Sequence, residues 1–165
     1  MCDAKSLNKE NLRNLIISQL RADHALLLQA AKTAHDAATH DENVPDNKYA
    51  TLGLEASYLA QGQANRAQDV SQSIAMFSQL SLQAFSVEDQ IRLTAVVQLR
   101  RDDGENKLIF LGPTAGGLVI PIADVELMIV TPASPLGREL LGKQCGDLVE
   151  LNGGTECKYE IISIC

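Results

Sequence analysis

His40-Asp41-Glu42-Asn43-Val44-Pro45-Asp46-Asn47 is the stretch on which the reading of the fold turns. Pro45 has no amide proton to donate, and its ring biases Val44 away from helix, so a helix arriving from the N-terminal side must end before it. On that side, from Leu7 to about Ala38, there is neither Pro nor Gly, and the composition is rich in Ala and Leu. Leu12, Ile16, Leu20, Leu27, Ala30, Ala34 and Ala37 recur at helical spacing and form one apolar stripe. On the other side, from about Leu54 to Phe85, the residues Ala56, Ala60, Gln63, Ala67, Val70, Ile74, Phe77 and Ser81 step by threes and fours. That is the seam of an antiparallel coiled coil. Both stripes are Ala-rich toward the break, so the hairpin is slimmest near its turn, placed within residues 40–53. At about 1.5 Å per residue such arms reach roughly 45–50 Å, which leaves a free end with nothing to pack on.

From Ser86 onward the period becomes that of strands. Ile91–Leu99, Lys107–Leu111, Leu118–Ile122 and Glu126–Thr131 are apolar or β-branched runs separated by Gly-, Pro- and Asp-containing turns. Ser134 suits an N-cap, Pro135 the first helical position and Gly142 the residue after the C-terminus, so a short helix is expected over Ser134–Leu141. Two last strands, Asp147–Leu151 and Lys158–Ile164, flank Asn152-Gly153-Gly154. The expected class is α+β: a two-helix coiled coil over residues 1–85, then a small antiparallel sheet domain with one helix over residues 86–165.

Composition narrows the function. Apolar residues are 45% of the 165 and charged residues 21%, a balance that can bury a core. Aromatics are only 4%, which disfavours a deep ring-lined ligand pocket. The formal net charge is −7, from 14 basic and 21 acidic side chains, so the chain lacks the cationic surface that non-specific nucleic-acid binding needs. Any link to nucleic acid must run through a protein partner or a local basic strip. Cys2, Cys145, Cys157 and Cys165 include no C-x-x-C pair, which leaves zinc ribbons unsupported. The start Met1-Cys2-Asp3-Ala4-Lys5 has no apolar signal, and Leu118–Val130 is interrupted by Asp124 and Glu126, so a cytoplasmic protein without membrane spans is expected. Gly112-Pro113-Thr114-Ala115-Gly116-Gly117 is no phosphate-binding loop, Gly142-Lys143-Gln144 lacks the hydroxyl of one, and Ser134 is not in a nucleophile elbow.

The stretch Val130-Thr131-Pro132-Ala133-Ser134-Pro135-Leu136-Gly137-Arg138-Glu139-Leu140-Leu141-Gly142-Lys143-Gln144-Cys145-Gly146-Asp147-Leu148-Val149-Glu150 resembles the C-terminal signature of the Gre family of bacterial transcription elongation factors. Leu111-Gly112-Pro113 and the closing Tyr159-Glu160-Ile161-Ile162-Ser163-Ile164 resemble that family too. The resemblance implies an FKBP-like C-terminal domain that docks on RNA polymerase, with Ser134, Pro135, Leu136, Gly137 and Arg138 near the contact. It implies a coiled coil that enters the secondary channel of that enzyme. It also implies that acidic tip residues, here Asp41, Glu42 and Asp46, help the polymerase cleave backtracked RNA.

In that scheme the chain is a monomer, has no active site of its own and meets nucleic acid only within the elongation complex. No cofactor is bound by the chain alone. Mg²⁺ is shared with the polymerase active site, where carboxylates hold a second ion and orient the attacking water. The tip departs from the family's pattern of two acids three apart, followed by a Tyr four residues after the second. Asp46-Asn47 has Asn43 three residues before it, and Tyr49 follows Asp46 by three; Glu42-Asn43 has Thr39 three before it. A regulator that occupies the channel without cutting is therefore an alternative. So is an FKBP-like isomerase or chaperone module, although residues 86–165 offer only Phe110 and Tyr159 as rings.

Overall fold

The computed structural model describes residues 8–39, 50–122, 125–152 and 156–165. Two long helices come first, α1 over Lys9–Thr39 and α2 over Ala50–Ser78. Six strands and one short helix follow: β1 Val96–Arg101, β2 Asn106–Leu111, β3 Val119–Ile122, β4 Val125–Val130, α3 Pro135–Leu140, β5 Leu148–Asn152 and β6 Glu156–Ile164. The α+β class expected from the sequence is what the chain adopts. It forms two compact units, one made of Met1–Ile16 with Met76–Cys165 and the other of Ile17–Ala75. They part within the helices, whereas the sequence reading placed a boundary at 85/86.

In the unit Ile17–Ala75 the helices pair antiparallel. Asp23, Leu26 and Leu27 share a groove with Arg66, Asp69 and Val70, and Lys32 and His35 share one with Ser57, Gln61 and Ala64. Near the break, a Cβ added to Gly53 would meet the Ala38 carbonyl oxygen at 3.8 Å, so the helix ends lie side by side. On α2 the expected seam is the observed one: Ala67 is buried, and Ala56, Ala60, Gln63, Val70 and Ile74 are shielded to an intermediate degree. On α1 it differs beyond Leu27. Ala30 and Ala37 face solvent, while Ala31, Ala34 and Ala38 turn inward. Stepping 27-31-34-38 alternates four and three, which keeps a 3.5-residue repeat against a partner helix; 27-30-34-37 starts that alternation out of phase.

In the other unit the strands form a single sheet in the order β3-β4-β2-β1-β6-β5. The sheet is antiparallel, as expected, except at one pair. β2 and β4 run parallel, Leu108 opposite Leu127 and Leu111 opposite Val130, because β3 is the edge hairpin partner of β4 and the chain crosses over to reach it. One face of the sheet carries a core of Val97, Leu99, Ile109, Leu111, Val130, Val149, Tyr159 and Ile161, closed by Leu140 of α3. The opposite face presents Phe110, whose ring lies 6.3 Å from that of Phe77 at the end of α2. Gly112 permits this packing: a Cβ there would come within 3.1 Å of Phe77 and 3.0 Å of Ile129.

Two expected elements are shorter than the apolar pattern suggested. α2 stops at Ser78 rather than continuing to Phe85, and the carbonyls after it find cations instead of helical amides. Arg13 donates to Leu80 O at 3.3 Å and Lys9 to Gln83 O at 2.7 Å. β1 starts at Val96 rather than Ile91 because Thr94 adopts φ +74°, which no extended strand can contain. Thr94 is nevertheless buried, with its amide donating to Leu111 O and its hydroxyl accepting from the Gln83 amide at 3.0 Å.

Candidate functional site

The signature residues sit on the loop after β4 and on α3. The Ser134 hydroxyl accepts from the Gly137 amide at 3.0 Å and donates to Thr131 O at 2.8 Å, so one side chain both caps the helix and closes the preceding turn. Pro135 occupies the first helical position, where its missing amide proton costs nothing. The helix lies so close to the turn that a Cβ on Gly137 would stand 1.9 Å from Thr131 O, a separation no alanine can accept. Gly142, with φ +79°, then ends the segment in the left-handed conformation.

Of the five expected docking residues, three are committed inward. Gly137 is buried, Ser134 is used by the cap, and Leu136 packs on the core. Pro135 and Arg138 are exposed. The Arg138 guanidinium is steadied by two donations to Ala133 O, at 3.1 Å through Nε and 2.9 Å through Nη2. Glu139 beside it and Leu141, 40% exposed, complete a small surface with an apolar part and a charge of each sign. What this surface offers a partner is thus a ring, a fixed cation and an aliphatic side chain. Leu141 closes the expected contact range Ser134–Leu141, just before Gly142.

Asp41, Glu42 and Asp46 lie outside the described residues, and their geometry is not part of the structure's account. Among the described residues no group of three or more His, Cys, Asp or Glu side chains is placed to hold a metal ion. The helices that lead to the break carry exposed Leu26, Leu54, Tyr58 and Leu59, each more than half exposed. No helix of the described residues is long and apolar enough to cross a membrane.

A concavity of about 320 Å³ lies on the sheet unit, lined by Gln98, Glu105, Asn106, Lys107, Leu108, Ile109, Val119, Val125, Glu126 and Met128. No ring is among these lining residues, so the feature that would grip a prolyl group is missing from it.

Comparison with known proteins points the same way. Residues 86–165 match the family described as "Transcription elongation factor, GreA/GreB, C-term". A transcription elongation factor GreA of Bartonella tribocorum is 34% identical over 79 residues, a match covering 46% of either chain. The chain thus spans about half the length of that relative and of its Bartonella henselae counterpart. A GreA of Nitratidesulfovibrio vulgaris is 28% identical over 152 residues, covering 90% of this chain and 85% of the other. The crystal structure of GreA factor homolog 1 from Thermus thermophilus aligns over 93% of this chain and 94% of its own, at 22% identity and a TM-score of 0.40. The resemblance to the Gre family read from residues 130–150 is borne out.

Proposed function

Residues 86–165 belong to the GreA/GreB C-terminal family, and from that premise we propose that this chain is a Gre-like elongation factor that binds bacterial RNA polymerase. The surface around Pro135 and Arg138 docks on the enzyme, and the α1–α2 hairpin enters the secondary channel. The observation that carries this reading is the pairing of a family-specific sheet domain with an antiparallel helical hairpin whose inner seam shrinks to Ala31, Ala34, Ala56 and Ala60 toward its turn. Small seam residues keep a two-helix rod thin enough for a channel.

At the channel end, Asp41, Glu42 and Asp46 supply carboxylates beside the Mg²⁺ that the polymerase already holds. Hard carboxylate oxygens suit Mg²⁺, which the chain would share with the polymerase rather than bind alone. A second ion placed this way activates water for attack on the RNA phosphodiester. The chain itself contributes acids and position, and the bond is broken in the polymerase active site. The protein works in the cytoplasm, as a monomer, and meets nucleic acid only through the elongation complex.

One observation favours a second reading. Asn43 stands three residues before Asp46, where a pair of cooperating acids would need a carboxylate, and Pro45 stiffens the turn between them. A factor built so fills the channel and slows nucleotide addition without cutting. The experiment that decides is addition of the full chain to backtracked elongation complexes. Shortening of the RNA from its 3′ end, lost in the Glu42→Ala/Asp46→Ala double variant while polymerase binding persists, supports cleavage. Slowed extension with RNA of unchanged length supports the second reading, and no effect on any polymerase assay overturns both.

A further inference from the structure

β2 and β4 run side by side with Leu108 opposite Leu127, so the residues just before these, Lys107 and Glu126, stand next to each other on one face of the sheet. Opposite charges on neighbouring strands attract. Lys107 nevertheless turns the other way, toward β6. Its ammonium donates to the Tyr159 hydroxyl at 3.0 Å and lies 5.2 Å from the centre of that ring. Tyr159 is buried in the core, so the cation is held in a fixed place. Glu105 lies 3.9 Å from the same nitrogen, but Arg101 also claims it, at 3.3 Å. Lys107 and Glu126 both line the concavity of about 320 Å³, and so do Ile109, Met128 and Val119, which follow on the same face. Ile109 is fully buried, whereas Met128 and Val119 are 38% and 37% exposed, so a closed apolar floor meets two open walls.

We propose that this concavity binds a free α-amino acid with an aliphatic side chain. The ligand carboxylate accepts from Lys107, its ammonium donates to Glu126, and its side chain lies on Ile109, Val119 and Met128. A free amino acid carries both charges on one carbon, which is what a cation and an anion on adjacent strands can read together. Small-molecule sites span about 300–1,000 Å³, so a concavity of about 320 Å³ suits a ligand at the small end of that range. The lining offers no ring for stacking, which favours an aliphatic side chain over an aromatic one. Because Tyr159 presets the cation, binding leaves little of the site to be ordered. The lining shares no residue with the surface around Pro135 and Arg138, and the inference is independent of the polymerase reading.

Titration of the full chain with L-leucine, followed by NMR of the Met128 methyl group, provides the test. A saturable shift with a Kd on the order of 1 mM is expected for a ligand of so few atoms. Three probes each lack one feature: N-acetyl-leucine has no ammonium, isoamylamine no carboxylate and glycine no side chain. Each should bind at least about tenfold more weakly, the loss that goes with one charge-assisted hydrogen bond or one buried aliphatic group. Glu126→Gln and Lys107→Met should weaken L-leucine by a similar factor, the first without any change in unfolding, since Glu126 is exposed. Should Lys107→Met not fold, isoamylamine on the parent chain still reports whether a carboxylate is read. No shift at about 20 mM L-leucine overturns the proposal. So does any of the three probes binding as tightly as L-leucine, or a Glu126→Gln chain that binds L-leucine as the parent does.

Discussion

At the scale of single residues, the signature divides into side chains that build the loop and side chains that face outward. Gly137 belongs to the first kind. Gly137→Ala forces a Cβ against the Thr131 carbonyl at 1.9 Å, and since that neighbour is backbone, the turn itself must move. A loss of about 1–3 kcal/mol or more is expected, measured by urea unfolding. Ser134→Ala removes the cap and costs about 1 kcal/mol. Pro135→Ala and Arg138→Ala, on exposed positions, should change stability by no more than about 0.5 kcal/mol and instead weaken polymerase binding. If Gly137→Ala is as stable as the parent, the close approach described for α3 is wrong. Asp89 gives a pH prediction at the same scale. Its carboxylate accepts from the Ser86 amide at 2.7 Å and the Ser86 hydroxyl at 2.9 Å, bonds that hold its pKa below the ordinary 3.8, with a smaller contribution from Arg92. A depressed folded-state pKa means that this contribution to stability is fully present above the unfolded value. It is lost as pH falls through the folded one. Carboxyl NMR titration should find Asp89 below 3.8 and show it rising in Ser86→Ala.

At the scale of elements, the end of α2 decides how the helical pattern meets the sheet. Phe77 is fully buried against Phe110 and beside Gly112, while Ser81, which continues the same stripe, lies beyond the last helical residue. Phe77→Ala should cost about 3–5 kcal/mol, the range for a large core ring replaced by a methyl group, and would be read by thermal or denaturant unfolding. An effect below 1 kcal/mol would mean that the ring is not the link it looks to be. The helix could be expected from threes and fours in the sequence, but its stop at Ser78 could not. Periodicity continues through Ser81, whereas the chain leaves the helix after Ser78 and the carbonyls of Gln83 and Leu80 accept from Lys9 and Arg13 of α1. Likewise, Ile91–Leu99 reads as one strand by composition, yet Thr94 at φ +74° splits it so that its hydroxyl can meet the Gln83 amide.

At the scale of the whole molecule, a fragment of residues 86–165 matches the family in sequence but not the compact unit in space. That unit also includes residues up to Ile16 and from Met76, among them the buried Leu12, Ile16 and Phe77. The isolated fragment would expose Phe110 and lose the bond from Lys9 to Thr94 O. It is expected to melt well below the full chain and to bind the hydrophobic dye ANS. Its competition with the intact protein for polymerase should be detectable only where it remains folded. A fragment as stable as the parent would show that the first turns of α1 add nothing to the sheet domain.

What the sequence determined by itself was whatever depends on local rules. Pro45 divides two helical repeats, Ser134, Pro135 and Gly142 bound a short helix, and turn residues space the strands. These follow from backbone sterics and capping, which act over a few residues. The Gre resemblance of residues 130–150 was legible for the same reason, since that loop's conformation is dictated by its own Ser, Pro and Gly. The candidate docking side chains could be named as a group, but not sorted. Only tertiary structure turned Gly137 and Leu136 inward and left Pro135, Arg138 and Leu141 outside. Tertiary structure also chose the parallel pairing of β2 with β4, the inward turn of Ala31 and Ala38, and the meeting of Lys9, Gln83 and Thr94. Each of these joins residues far apart in sequence, where no local pattern reports which partner a buried side chain or an unpaired carbonyl will find.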